Sequence, residues 1–168
     1  TWKAASGVFL FFAVGSSMAL STQIYNIPGN FSVYMLTWIL LCAPLVYLLK
    51  SNILAVLHIA FATNYACSVG YFDGNDSPWL YLGLLVLILP HYYQLLKHKK
   101  THNITSIFNW LLPLSLIIVL GTFVNRSEEF GFLMYVILFG LFYNMGKLPF
   151  FDTQKLRRNG YLILGSLG

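Results

Sequence analysis

The chain has 168 residues, of which 58% are hydrophobic and only 9% charged, and its formal net charge is +5. Soluble domains carry about 25% charged residues, so a water-covered globule is excluded and lipid must surround much of this chain. The basic residues sit in short connectors between apolar runs, not in one patch or stripe, which excludes a nucleic-acid surface and leaves membrane orientation and attraction to anionic lipid as their roles.

No charged residue occurs between Lys3 and Lys50, a stretch too long for one spanning helix. It divides at Asn26-Ile27-Pro28-Gly29-Asn30, a cluster of turn formers. The first span is therefore expected at about 4–25 and the second at about 31–49. A third covers about 52–72 and ends at Asp73-Gly74-Asn75-Asp76. The fourth, at about 78–96, opens with a Ser77 cap and Pro78 at the first helical position. The fifth spans about 104–124. The sixth, at about 130–146, is the shortest, with Ser127, Glu128 and Glu129 at its positive end and Gly146-Lys147 at its close. A polar connector then leads into an apolar run at 160–168. Each complete run approaches the ~20 residues that an α-helix needs to cross ~30 Å of hydrocarbon. None alternates as barrel strands do. The expected fold is all-α: a polytopic transmembrane bundle with six complete spans and the start of a seventh. The first run is too long for a signal-peptide core and leads directly into further spans. The chain opens on Thr1 and ends inside an apolar run, as a segment of a longer protein would.

Orientation follows from the connectors. Lys3, Lys50, Lys97, Lys99, Lys100, Lys147, Lys155, Arg157 and Arg158 fall on one side and only Arg126 on the other, out of ten in all. Four of the five acids, Asp73, Asp76, Glu128 and Glu129, fall opposite the basic side. The positive-inside rule makes the N-terminus cytoplasmic. Trp2, Trp79, Trp110, Tyr25, Tyr92 and Tyr93 lie near span ends, as interfacial anchors do. Pro44, Pro90 and Pro113 lie within spans and each removes one backbone hydrogen bond; Pro113 frees the carbonyl of Asn109.

No Asp, Glu, Lys or Arg lies within the six spans, whereas proton-coupled carriers generally use an intramembrane ionisable group. No metalloprotease, nucleophile-elbow or phosphate-loop motif occurs, so the chain reads as non-enzymatic, with no cofactor and no metal site. His58 and His91 are two ligands at most, an incomplete metal site, and read as neutral hydrogen-bonded side chains. His98 and His102 extend a basic loop. Cys42 and Cys67 sit in apolar runs as packing residues, with no disulfide framework. Asn30, Asn75, Asn103 and Asn125 begin Asn-x-Ser/Thr sequons, but all hug the membrane and asparagine is common in turns.

Uncharged polarity is what remains. Asn64, Ser68 and Tyr71 share a face of the third span at helical spacing, with Cys67 beside them. With Gln23 and Asn26 they belong to the outer half and are candidates for one outward-facing ligand pocket. Interhelical hydrogen bonding, at ~0.6 kcal/mol each, explains the same residues without a ligand. Ala13, Ser17 and Ser21, and likewise Ala62, Ala66 and Gly70, form stripes of small residues that permit close helix approach, inside the bundle or against a membrane-protein partner or second copy.

The segment Gln23-Ile24-Tyr25-Asn26-Ile27-Pro28-Gly29-Asn30-Phe31 resembles a turn in a bacterial family of polytopic predicted membrane proteins, catalogued as a domain of unknown function. Its members carry a Gln-Ile-Tyr-x-x-x-Gly-Asp-Phe-like turn, then a Trp-containing apolar helix ending in Pro-Leu-x-x-Leu-Leu-basic. Trp38, Pro44-Leu45 and Leu48-Leu49-Lys50 match that helix. The resemblance covers residues 4–50, and Asn30 stands where members often have Asp. It implies a multi-pass inner-membrane protein with more spans than this chain has, and no established activity. The turn itself reads as a tight hairpin, with Pro28 fixing one angle, Gly29 permitting a positive one and Asn30 capping the second span. Gln23 and Asn26 are placed to satisfy carbonyls at the end of the first span.

Three functional readings follow. The preferred one is a transporter-like or small-molecule- or lipid-binding bundle; the alternative is a structural or assembly subunit; an intramembrane enzyme ranks last, for lack of ionisable groups in the spans.

Overall fold

The computed structural model describes residues 2–72, 78–124, 130–152 and 156–168. The expected break at 73–76, the caps at Ser77 and Ser127–Glu129, the sequon asparagines Asn75 and Asn125, Arg126 and Lys155 lie outside the described residues. The fold is all-α, with no strand among the described residues. Its helices are α1 (Trp2–Ile24), α2 (Phe31–Leu49), α3 (Asn52–Cys67, continued by a π-helical turn, Ser68–Phe72), α4 (Trp79–His98), α5 (Asn103–Val124), α6 (Gly131–Gly146), α7 (Pro149–Asp152) and α8 (Gly160–Leu167). Five, from α1 to α5 with the π turn included in the third, are long and apolar enough to cross a bilayer. The sixth apolar helix has 16 residues, about 24 Å at 1.5 Å per residue. It falls short of the hydrocarbon thickness, so a span there requires local thinning of the bilayer.

Large apolar side chains lie bare on these helices: Trp2 is 91% exposed, Phe9 77% and Phe132 83%. Water would penalise such surfaces and hydrocarbon does not. The molecule is a multi-pass membrane protein, and its helices contact lipid.

The chain forms two compact units, residues 1–91 and 92–168. In the first, α1 packs through Gly7, Phe11 and Gly15. Gly15 leaves room for the Trp38 ring, which occupies the space a Cβ there would need. Trp38 Nε1 donates to the Phe11 carbonyl at 2.9 Å, and Tyr34 Oη donates to the Gly15 carbonyl at 2.9 Å. Phe11, Trp38 and Phe61 close an aromatic cluster with centroids 4.8–5.3 Å apart. The rings meet edge-on or tilted, as their quadrupoles favour.

The stripe expected to pack α1 lies elsewhere on that helix. Residues 11 and 13 are two apart, so about 200° separates their faces. Ala13 is half-buried while Ser17 and Ser21 are exposed. The two serines return their hydroxyl protons to the Ala13 and Ser17 carbonyls at 2.8 and 2.9 Å. On α3 the small residues do pack inside the unit: Ala62 and Ala66 are fully buried, and Gly70 is half-buried.

The α1–α2 turn departs in detail from the sequence reading. Asn26, not Gly29, takes the left-handed conformation, with φ 46°. The Asn26 amide donates to the Gln23 carbonyl at 3.3 Å and the Ile27 amide to the Thr22 carbonyl at 3.0 Å. This paired arrangement is the Schellman closure of a helix, with asparagine in the place glycine usually takes. Backbone amides therefore do the capping expected of the Gln23 and Asn26 side chains. Asn30 caps α2 as expected: its Oδ1 accepts from the Ser32 amide at 3.2 Å, a contact worth about 1 kcal/mol.

The second unit comprises the end of α4, α5, α6, α7 and α8. Here α6 and α8 approach backbone to backbone at Gly146 and Gly165. Asn159 caps α8 through its Oδ1, 3.2 Å from the Leu162 amide, and its Nδ2 donates to the Gly146 carbonyl at 2.8 Å. One side chain thus starts one helix and closes another.

Candidate functional site

The Schellman closure ends α1 abruptly, and Asn30 starts α2 four residues after Asn26. The short connection leaves a hollow of about 320 Å³ beside the turn, with a described lining of Ala19, Thr22, Gln23, Ile27, Gly29, Asn30, Phe31 and Tyr34. That volume sits at the low end of the ~300–1,000 Å³ typical of small-molecule sites. Its walls are mixed. Ala19, Ile27 and Phe31 are apolar, and Gln23 and Asn30 bring amides.

Several polar groups here are already committed. Tyr34 is tied to the Gly15 carbonyl, and Thr22 Oγ1 donates to the Ala19 carbonyl at 2.8 Å. The Gln23 amide has no hydrogen-bond partner among the described residues, and the residue is exposed. It is the polar group most available to an incoming molecule.

The five residues expected to form one pocket fall into separate places. Gln23 lines the hollow, and Asn26 sits in the turn, exposed. On α3, Ser68 is buried and Asn64 exposed; Ser68 Oγ lies 3.0 Å from the Asn64 carbonyl and 3.5 Å from Asn64 Oδ1. Tyr71 is 48% exposed at the π-helical end. That π turn begins at Ser68, so the even 3–4 residue spacing that aligned Asn64, Ser68 and Tyr71 is altered just where they lie. No hydrogen bond joins Gln23 or Asn26 to Asn64 or Ser68 among the described residues.

The two intramembrane histidines have separate partners. His58, fully buried, places Nε2 3.1 Å from the Leu84 carbonyl. His91 places Nε2 3.0 Å from Asn52 Oδ1. In each ring Nε2 faces an oxygen acceptor and so carries the proton. Both join α3 to α4, as hydrogen-bonded histidines in a bundle are expected to do.

Compared with family models, curated proteins and solved structures, the chain matches none. The functional reading therefore rests on this chain's own sequence and geometry.

Proposed function

We propose that this multi-pass protein binds an amphiphilic small molecule or single-chain lipid at the hollow beside the α1–α2 turn, in the manner of a transporter or lipid-binding bundle. The observation that carries the reading is the free Gln23 amide at the rim of a part-apolar hollow. An amphiphile would present a polar head to Gln23 and Asn30 and lay its chain along Ala19, Ile27 and Phe31. The basic connectors support an orientation with this end outward and the Thr1 end cytoplasmic. The turn resemblance supports a bacterial inner membrane. No catalytic step is part of this reading.

A lysophospholipid is a suitable probe. In native mass spectrometry from detergent, wild-type protein is expected to retain one copy, and Gln23→Leu to lose about five- to tenfold in affinity, the worth of one neutral hydrogen bond. Equal retention by both proteins sinks the proposal.

A second reading, an assembly subunit, is supported by the outward Ser17–Ser21 face of α1. It predicts that Ser17→Cys cross-links to a second copy or a co-purifying partner in membranes; absence of any cross-link argues against it.

A further inference from the structure

The connector after α4 and the connector after α7 meet in the second unit. The Arg158 guanidinium donates to the Thr101 carbonyl and, through Nη2, to Asn103 Oδ1 at 3.1 Å. Trp110 Nε1 donates to the Arg157 carbonyl at 3.2 Å, and Asn109 Nδ2 to the Arg158 carbonyl at 3.2 Å. The turn Leu156–Arg158 is thus pinned to the first two turns of α5. Between them lies a hollow of about 500 Å³, with a described lining of Asn103, Ser106, Trp110, Arg157 and Arg158.

We propose that this hollow binds a phosphate-bearing anion, carried by a lipid headgroup at the membrane surface or free in solution. The proposal stands on different residues from the outer hollow and does not depend on it.

Charge is the first argument. Arg158 is held by two neutral oxygens, so nothing in those contacts cancels its charge. Arg157 is exposed, and its guanidinium has no partner among the described residues. A guanidinium offers planar N–H donors that match phosphate oxygens in pairs. The connector after α4 adds Lys99 and Lys100, and α4 itself ends in Lys97 and His98. Like charges gathered beside a low-dielectric slab repel unless an anion joins them.

Placement is the second argument. Asn103 is the first residue of α5 and Ser106 lies one turn on, at the helix's positive end, where the aligned peptide dipoles favour an anion. Trp110 lies seven residues into the helix, about 10 Å along its axis. The wall therefore combines cationic, polar and aromatic side chains, with Trp110 directly against Arg157. A glycerophosphate headgroup offers groups for each of them. Basic pockets between spanning helices hold phosphorylated headgroups in this way.

The test uses the whole chain purified in a neutral detergent. Thermal unfolding is followed during titration with dioctanoyl phosphatidylglycerol, dioctanoyl phosphatidylcholine or inorganic phosphate. Saturable stabilisation by phosphatidylglycerol or by phosphate, with none by the zwitterionic lipid, is expected. Phosphatidylglycerol acting without phosphate identifies a headgroup, and both acting identifies the anion itself. Arg157→Gln is expected to raise the half-saturating concentration about tenfold or more, the worth of a charge-assisted contact. Lys3→Gln removes an equal charge from the other unit and should leave that concentration unchanged. No stabilisation by either anion overturns the proposal. So does equal weakening in Arg157→Gln and Lys3→Gln, which would mean diffuse attraction and no site.

Discussion

Gly146→Ala is expected to destabilise the second unit by about 3 kcal/mol, the upper range for an overpacked core. A Cβ on Gly146 would lie 2.6 Å from the backbone nitrogen of Leu162 and 2.7 Å from its Cα. Those are backbone atoms of α8, and no rotamer change can move them aside. The reciprocal contact is as close, since a Cβ on Gly165 would lie 2.8 Å from the Tyr143 Cα. The methyl group must therefore push two helices apart. In lipid this matters more than it would in water, because hydrocarbon satisfies apolar surfaces as well as another helix does. Close van der Waals packing is then what holds α6 to α8. Separation would also stretch the 2.8 Å contact from Asn159 to the Gly146 carbonyl. Gly140 is the matched control. It lies on the same helix, and a Cβ there meets nothing within 4 Å. Gly140→Ala should be neutral or gain up to about 1 kcal/mol from helix propensity. Unfolding in mixed micelles, followed by tryptic cleavage at Arg157 and Arg158, separates the two. If both variants unfold like wild type, the backbone contact is not what joins these helices.

Much of the fold is legible because charge and proline punctuate this chain so plainly. Uncharged runs define α1 to α5 to within about two residues, since a charge in hydrocarbon is costly wherever it falls. Helix faces are a different matter. A helix that is apolar all round has no polar side to read, so small residues are the only guide to the packed face of α1. Gly7 and Gly15 are better guides than Ala13, Ser17 and Ser21, because Trp38 lies against bare backbone at Gly15 and the Leu49 and Leu54 side chains close on Gly7. The polar set on α3 aligns only at ideal helical spacing, and nothing in Ser68–Phe72 announces a π turn. The hairpin residues predict the Asn30 cap but misplace the left-handed residue at Gly29, since a Schellman closure depends on backbone hydrogen bonds that side-chain identity barely specifies. The arginine hollow has a clearer lesson. In the sequence, Arg157 and Arg158 register only as topology signals. Their approach to Asn103 and Trp110 spans about fifty positions of sequence, a distance that local patterns do not bridge.

Asn109 ties that long-range approach together, and Asn109→Leu is expected to lower stability by about 3 kcal/mol. The residue is fully buried on α5, four positions before Pro113. Its Oδ1 accepts from the Tyr92 hydroxyl at 2.6 Å, and its Nδ2 donates to the Arg158 carbonyl at 3.2 Å. Leucine is of similar size, so the change removes polarity more than volume. Membrane hydrogen bonds average only ~0.6 kcal/mol, and on that figure alone the loss would be small. Most of the cost comes from what is left behind: the Arg158 carbonyl loses its donor, at about 1–3 kcal/mol for an unsatisfied group, and the buried Tyr92 hydroxyl is left with Tyr161 alone. Pro113 adds to the dependence, because the Asn109 carbonyl has lost its helical donor and a bare Gly160 packs directly against it. Tyr92→Phe should cost about 1 kcal/mol alone. Combined with Asn109→Leu it should cost less than the two separate losses, because phenylalanine leaves no hydroxyl short of a partner. Strict additivity in that double-mutant cycle would show that Tyr92 and Asn109 do not act as a pair. Loosening the Arg158 carbonyl should also weaken the response to phosphatidylglycerol without removing any charge, since Arg157 and Arg158 would no longer be held over the start of α5.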